Sequence, residues 1–240
     1  MRVRLIGLVG VAVLAAGAMW FFFIRGDAPP PATLEDAVAA VTGETATTEA
    51  GAAAQTTGGP VATDGLDGVW VVDQALSFVG YRIDEEVANI GATTAVGRTN
   101  VIDATLTFAG TSITAVSVDV DMTTLDSGRS RRDGALETRG LETNTFPTAT
   151  FVLSEPIDLG SVPVDGETIS ATAVGDLTLH GATNPVTLSL EGSLVDGTMV
   201  VVGMIDVTLT DYDIEAPTGF SILTIADTGS LEVQLAFVRG

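Results

Sequence analysis

The 240-residue chain has no cysteine, no lysine and a single histidine, and aromatic residues make up only 5% of it. Without cysteine there is no disulfide framework, no thiolate metal site and no lipobox for a lipid anchor. One imidazole, His180, cannot build a multi-histidine metal site, so neither a metal nor a cofactor is expected. No Gly-x-Ser-x-Gly nucleophile elbow occurs, and no catalytic residue is assigned. Positive charge is equally scarce: ten arginines stand against 31 acidic residues, for a net charge of −21. Such a field repels polynucleotides, which excludes nucleic acid as a partner.

Long apolar runs are absent too, with one exception. Leu5 to Ile24 is unbroken by charge and is flanked by Arg2 and Arg4 before it and Arg25 after it. About twenty residues at 1.5 Å rise span roughly 30 Å, a bilayer's hydrocarbon thickness. The arginine imbalance puts the N-terminus in the cytoplasm and the rest of the chain outside. Residues 1–26 therefore read as a transmembrane signal anchor, giving a single-pass protein with an extracytoplasmic domain. Ala16-Gly17-Ala18 resembles a cleavage site and would give a secreted form. The run from Met19 to Ile24 continues past it and favours the uncleaved anchor.

Residues 27–67 read as a flexible linker rich in Pro, Ala, Thr and Gly. Pro29-Pro30-Pro31 stiffens its start, and Thr33 N-caps a short helix from Leu34 to Val41 with acids in its first turn. A flexible linker of about forty residues has a reach of roughly 35 Å. Residues 68–240 alternate apolar and polar positions, broken by Gly, Asp and Asn, the pattern of antiparallel strands. The clearest runs are Val69–Asp73, Ser77–Asp84, Val116–Asp121, Thr168–Leu179, Asn184–Leu194, Thr198–Leu209 and Ile222–Val238, with Asp196-Gly197 as a hairpin turn. Arg129 to Leu141 breaks the alternation and reads as a short helical excursion. Long strands with few helices favour closure, which removes exposed edges. The expected fold is thus all-β: an antiparallel barrel of about eight strands preceded by a transmembrane helix and a linker.

Several motifs carry a family resemblance. Trp70-Val71-Val72-Asp73 with Ser77 and Tyr81, Arg132-Asp133-x-x-Leu136, Phe146-Pro147-x-x-x-Phe151 and Gly175-Asp176-Leu177-Thr178-Leu179-His180-Gly181-Ala182-Thr183 follow one another in order. From about Val69 to Gly240 the chain resembles the YceI-like family of lipocalin-like barrels. Leu76 departs from the histidine usual there, and no arginine precedes Asp211-Tyr212. The resemblance implies binding of a polyisoprenoid or another long-chain amphiphile inside the barrel, without catalysis.

Among individual residues, the inward-facing apolar positions are the candidate cavity lining: Val79, Tyr81, Ile83, Phe108, Val118, Phe151, Leu153, Leu179, Leu188, Ile205, Val207, Leu209, Val233 and Leu235. Arg129, Arg131, Arg132 and Arg139 are candidates for a cavity mouth that takes a polar head group, since guanidinium pairs with oxyanions. The competing reading pairs them internally with Asp133, Glu137 or Glu142. His180 is expected to hold a strand reversal by hydrogen bonds to backbone. Asp119 with Asp121 and Asp211 with Asp213 read as solvated faces in so acidic a chain. The expected function is that of a membrane-tethered carrier for an isoprenoid or acyl-chain lipid, as a monomer or a homodimer. The alternative is a non-catalytic envelope interaction module whose barrel is filled.

Overall fold

In a computed structural model of the chain, residues 28–43, 65–217 and 222–240 are described. The strands are β1 (Gly68–Val72), β2 (Phe78–Val87), β3 (Gly91–Thr99), β4 (Ile102–Ala109), β5 (Ser112–Asp121), β6 (Thr148–Leu153), β7 (Ile157–Asp158), β8 (Thr168–Leu179), β9 (Ala182–Val195), β10 (Thr198–Thr208), β11 (Ile222–Ile225) and β12 (Thr228–Arg239). The helices are α1 (Leu34–Thr42) and α2 (Ser130–Leu136), the latter lying within the expected excursion. Neighbours run β1-β4-β5-β6-β8-β9-β10-β12, and β12 returns to β1. The all-β antiparallel barrel of eight positions is closed.

Closure depends on two broken staves. β12 bonds Phe78 to Arg82 of β2 through its residues Gln234 to Ser230, and Trp70 to Val72 of β1 through Arg239 to Phe237. β3 and β4 repeat the device on the far side, β3 pairing with β2 and β4 with β1. The bulged residues 73–77 between β1 and β2 leave ladder groups to be satisfied. Asp73 N–H donates to the Ala236 carbonyl at 2.8 Å, Ala236 N–H to Ser77 Oγ at 2.9 Å, and Gln74 Nε2 to the Ile102 carbonyl at 2.7 Å. An unbonded backbone group in that interior would cost as much as a lost hydrogen bond, so these side chains complete the ladder.

The registers also orient the barrel. Trp70, Phe108, Ile113, Ile157 and Phe237 are buried at one end and close it. The Asp196-Gly197 turn lies at that end, with positive φ at both residues as a two-residue hairpin loop requires. The other end carries the β2–β3 tip, α2, the His180 turn and β11. Pro185, within β9, sits where β9 bonds only β8, because the β10 register stops at Ser189, so its missing N–H breaks no ladder bond to β10.

Two expectations are corrected here. Ile222–Val238 is not one strand: the line breaks after Ile225, where Ala226 N–H bonds the Asp84 carbonyl and the Asp227 carbonyl accepts from Leu209. Within the expected linker, residues 28–43 are packed on the barrel's outer wall. Thr33 caps α1 by accepting from Asp36 N–H at 3.2 Å, and Gly43 ends it at φ 72. Ala37, 2% exposed, packs with Val200 and Val202, and Leu34 and Val41 flank them. The anchor assigned to 1–26 lies outside the described residues, among which no helix is long and apolar enough to cross a membrane.

Phe108 is buried in the core at 1% exposure. Phe108→Ala should cost about 3–5 kcal/mol of unfolding free energy, read as a lower denaturant midpoint. An unchanged midpoint would mean that the closed end is not the packed core described.

Candidate ligand cavity

The inner faces of the staves enclose empty space. An inner cavity of about 160 Å³ runs from Phe237, Ile113 and Ile157 at the closed end up to Tyr81, Leu141 and Leu179. Thr150 is the only side chain along it with a hydroxyl other than the phenol of Tyr81. Above it lies an outer cavity of about 1070 Å³ between α2 and its following loop on one side and β2, β11 and β12 on the other. Tyr81, Leu141, Leu179 and Leu231 line both, so they form the passage between them. The interior is thus not packed solid throughout: a small inner cavity joins a wider outer one. The bulge in the β4–β5 register at Thr107/Phe108 shifts the pleat, which lets Ile113 and Val116 both face inward.

Of the positions expected to face the interior, Val79, Tyr81, Val118, Phe151, Leu179, Leu188, Ile205, Val233 and Leu235 line the inner cavity. Ile83, Val207 and Leu209 line the outer one, where Tyr81 and Leu179 recur. Phe108 and Leu153 line neither and belong to the packed core. Strand residues Leu106, Ile113, Val116, Val120, Ile157, Leu177, Val186, Leu190, Val201, Leu231 and Phe237 also line the inner cavity and were not among the candidates, and neither were Met122, Leu125 and Leu141. The last three come from the 3-10 turn Met122–Thr124 and from loops, where no alternation marks a side chain as inward.

All four candidate arginines line the outer cavity. Arg132 pairs with Glu85 of β2, whose side chain is 3% exposed, and not with any of the three acids expected from sequence. Asp133 instead accepts from Ser127 N–H at 3.1 Å and Ser127 Oγ at 2.5 Å, and Glu142 turns to His180 at 3.0 Å. Among the described residues Arg129, Arg131 and Arg139 are exposed and make no ion pair. Glu85 was illegible as a partner because it is 47 residues away from Arg132 in sequence.

Tyr81 is the polar feature at the passage. Its hydroxyl is buried and has no hydrogen-bond partner among the described residues. Its ring lies over Gly97, where a Cβ would come within 2.5 Å of the ring. Burial pushes the phenol up to about 12; Arg132 pulls against this, while Asp133 and Glu85 add to it. The hydroxyl therefore stays neutral, a buried donor with no protein acceptor among the described residues.

The sequence model of the YceI-like domain matches residues 70–237. This chain belongs to the YceI-like family. It is 35% identical over 115 residues to Protein YceI of Shigella flexneri, covering 47% of this chain and 54% of that one. A UPF0312 protein of Vibrio vulnificus (strain YJ016) is 32% identical over 112 residues, covering 45% of this chain and 56% of its own. The match thus spans about half the length of these curated relatives. Two solved structures share the fold. A polyisoprenoid binding domain from Saccharophagus degradans has TM-score 0.58 at 18% identity, covering 71% of this chain and 98% of its own. BcnA of Burkholderia cenocepacia has TM-score 0.54 at 22% identity, covering 69% and 98%.

The YceI-like motifs have local physical reasons in this structure. A Cβ on Gly175, which stands opposite Leu153, would fall 2.5 Å from the neighbouring Phe151 ring, so that aromatic needs a glycine beside it. At the turn, His180 and Gly181 both have positive φ, 52° and 78°. His180 Nδ1 meets the Tyr212 carbonyl at 3.0 Å, Nε2 meets Glu142, and Phe146 lies 4.2 Å from its ring. The histidine joins three mouth segments as a structural pin. Among the described residues no group of three His, Asp or Glu side chains could hold a metal ion.

Burial raises the second tyrosine, Tyr212, above its ordinary value as well, opposed by its hydrogen bond with Asn184 and aided by Asp211. The phenolate absorbance change of the folded chain should therefore lie above about pH 10, where unfolded tyrosine ionises. The unfolded chain releases the Tyr81 proton at lower pH than the folded one, so stability falls as pH rises from about 10 to 12, by about 2–3 kcal/mol. Tyr81→Phe removes that loss. A full phenolate step at pH 10 in the folded protein would contradict the burial of both rings.

Proposed function

We propose that this protein is a membrane-tethered extracytoplasmic carrier that holds an isoprenoid or other long-chain amphiphilic lipid with the end of its tail in the inner cavity and the rest of the tail and the polar head in the outer one. The observation that carries the reading is the apolar inner cavity opening into a wider one rimmed by arginines, with the unpartnered Tyr81 hydroxyl at the passage. Membership of the YceI-like family and the likeness in fold to a polyisoprenoid binding domain support it. Each CH₂ taken from water contributes about 0.8 kcal/mol, so a long tail supplies affinity without any charged contact. The head adds specificity: Arg129, Arg131 and Arg139 line the outer cavity and offer guanidinium donors. Binding is reversible partition with no covalent step. The run from Leu5 to Ile24 supports anchoring, with the barrel on the extracytoplasmic side.

Organic extraction and native mass spectrometry of the purified full chain should release a stoichiometric prenyl or acyl lipid. Ala173 lines the inner cavity at 3% exposure, so Ala173→Phe should abolish that cargo while the fold remains. No lipid from the wild-type chain, and no uptake of added prenyl alcohol after delipidation, would end the carrier reading. Protease added to intact spheroplasts should remove the barrel; a protected barrel would overturn the topology.

A further inference from the structure

We infer that the segment Ala28–Gly43 is a strap that sets the barrel's attitude to the bilayer and holds the cavity mouth against the lipid surface. The inference rests on the membrane anchoring proposed above and goes beyond it, from tethering to orientation.

The strap has a direction, read from its bonds and the sheet registers. Arg82, opposite Ser230 toward the mouth end of β12, donates from Nη1 to the Pro29 carbonyl at 2.8 Å. Two residues further toward the closed end, Glu232 Oε2 accepts from Ala32 N–H at 3.4 Å. Ala37 then packs on Val200, which stands opposite Ala236, nearer still to the closed end. The chain thus descends the outer wall from mouth to closed end, and whatever precedes Ala28 leaves at the mouth.

The strap is held by groups that are expensive to bury for any lesser reason. Glu232 is fully buried on the outer face of the barrel. Its Oε1 accepts from Arg98 Nε at 2.7 Å, and Arg82 Nη1 stands 3.6 Å from Oε2. Arg98 Nη2 reaches on to the Pro30 carbonyl at 2.7 Å. Gly80 lies opposite Glu232, and a Cβ there would meet the Gly97 carbonyl at 2.5 Å and Arg98 Cγ at 2.8 Å. A side chain at 80 would therefore push Arg98 off the carboxylate. A carboxylate left in this place without both arginines would carry an uncompensated buried charge, so the ion cluster and strap form together.

Four residues, Arg25 to Ala28, separate the apolar run from the first clasped carbonyl. Fully extended they bridge at most about 18 Å. A free linker of forty residues would allow the barrel to tumble at roughly twice that distance. The clasp removes that freedom and leaves the mouth as the end nearest the bilayer. Arg129, Arg131 and Arg139 then face head-group phosphates, and the exposed Ile90 and Leu223 sit on the β2–β3 tip and β11 at the same end. A lipid would pass between bilayer and cavity by a short path.

The cysteine-free chain allows a direct test by single-site labelling. Gly134→Cys places a dye on α2 at the mouth, where an added Cβ meets nothing within 4 Å, and Val164→Cys places one on an exposed loop near the closed end. The full chain is reconstituted in phosphatidylcholine vesicles bearing a head-group energy acceptor. Transfer should be several-fold greater from position 134 than from position 164. Glu232→Gln combined with Arg98→Ala should bring the two values together. Because that pair also removes buried charges from the wall, a flexible Gly-Ser insertion after Gly26, which leaves every residue from Ala28 onward unchanged, should do the same. Equal transfer from both positions in the otherwise unmodified chain overturns the strap while leaving the lipid-extraction result standing. Failure of the chain to float with the vesicles overturns the anchoring and the strap with it.

Discussion

Everything in this barrel depends on how the outer edge of β12 is shared. One strand of twelve residues bonds β2 along its first half and β1 along its second, and the sheet closes only because both are satisfied. The break between them is not a defect in the ladder. Asp73, Gln74 and Ser77 complete its hydrogen bonds, while the split lets β2 and β3 flare away from the packed end. At the end where β1 and β4 continue the wall, Trp70, Phe108 and Phe237 fill the interior. At the end where β2 and β3 form the wall, the outer cavity opens. The same broken staves therefore create both the solid floor and the hollow mouth.

Polar chemistry is distributed according to that geometry. The inner cavity carries almost none, so it discriminates only by shape and hydrophobicity. Tyr81 is the exception, a buried donor without a partner at the narrow point. Burying such a group costs roughly 1–3 kcal/mol unless something accepts from it. On the outside of the same strand line, Glu232 is buried for a different reason: it gathers Arg82 and Arg98, and through them the carbonyls of Pro29 and Pro30. The cavity wall and the clasp that holds residues 28–43 are thus built on opposite faces of β2 and β12, one residue out of phase.

Much of this was legible in the chain. Alternation located β1, β5, β8, β9 and β10 closely, since a period of two marks any strand with one wet face. It missed β3, whose Gly91, Gly97 and short side chains blur the contrast, and it passed over β4 and the start of β5 although Ile102, Ala104, Leu106 and Phe108 alternate there. It ran β11 and β12 together, because the bend after Ile225 keeps the apolar pattern while altering the bonding. Twelve of the fourteen inward candidates line one cavity or the other. Phe108 and Leu153 share the same pattern but reach packed wall, a difference that depends on what stands opposite. Met122, Leu125 and Leu141 carry no periodic signal, because turns and loops obey none.

Sequence alone determined the barrel class, the hairpin at Asp196-Gly197, the capped helix after Thr33 and the absence of any thiolate or multi-histidine metal site. These follow from local rules: side-chain period, turn stereochemistry and residue inventory. Only the tertiary structure decided that the interior is hollow, that Arg132 meets Glu85, and that part of the expected linker lies clasped to the wall. Each of those depends on groups distant in sequence: Arg98 and Glu232 are 134 residues apart, and Ala32 and Glu232 are 200 apart. Sequence patterns record which face a side chain prefers. What it meets there is decided when the sheet closes.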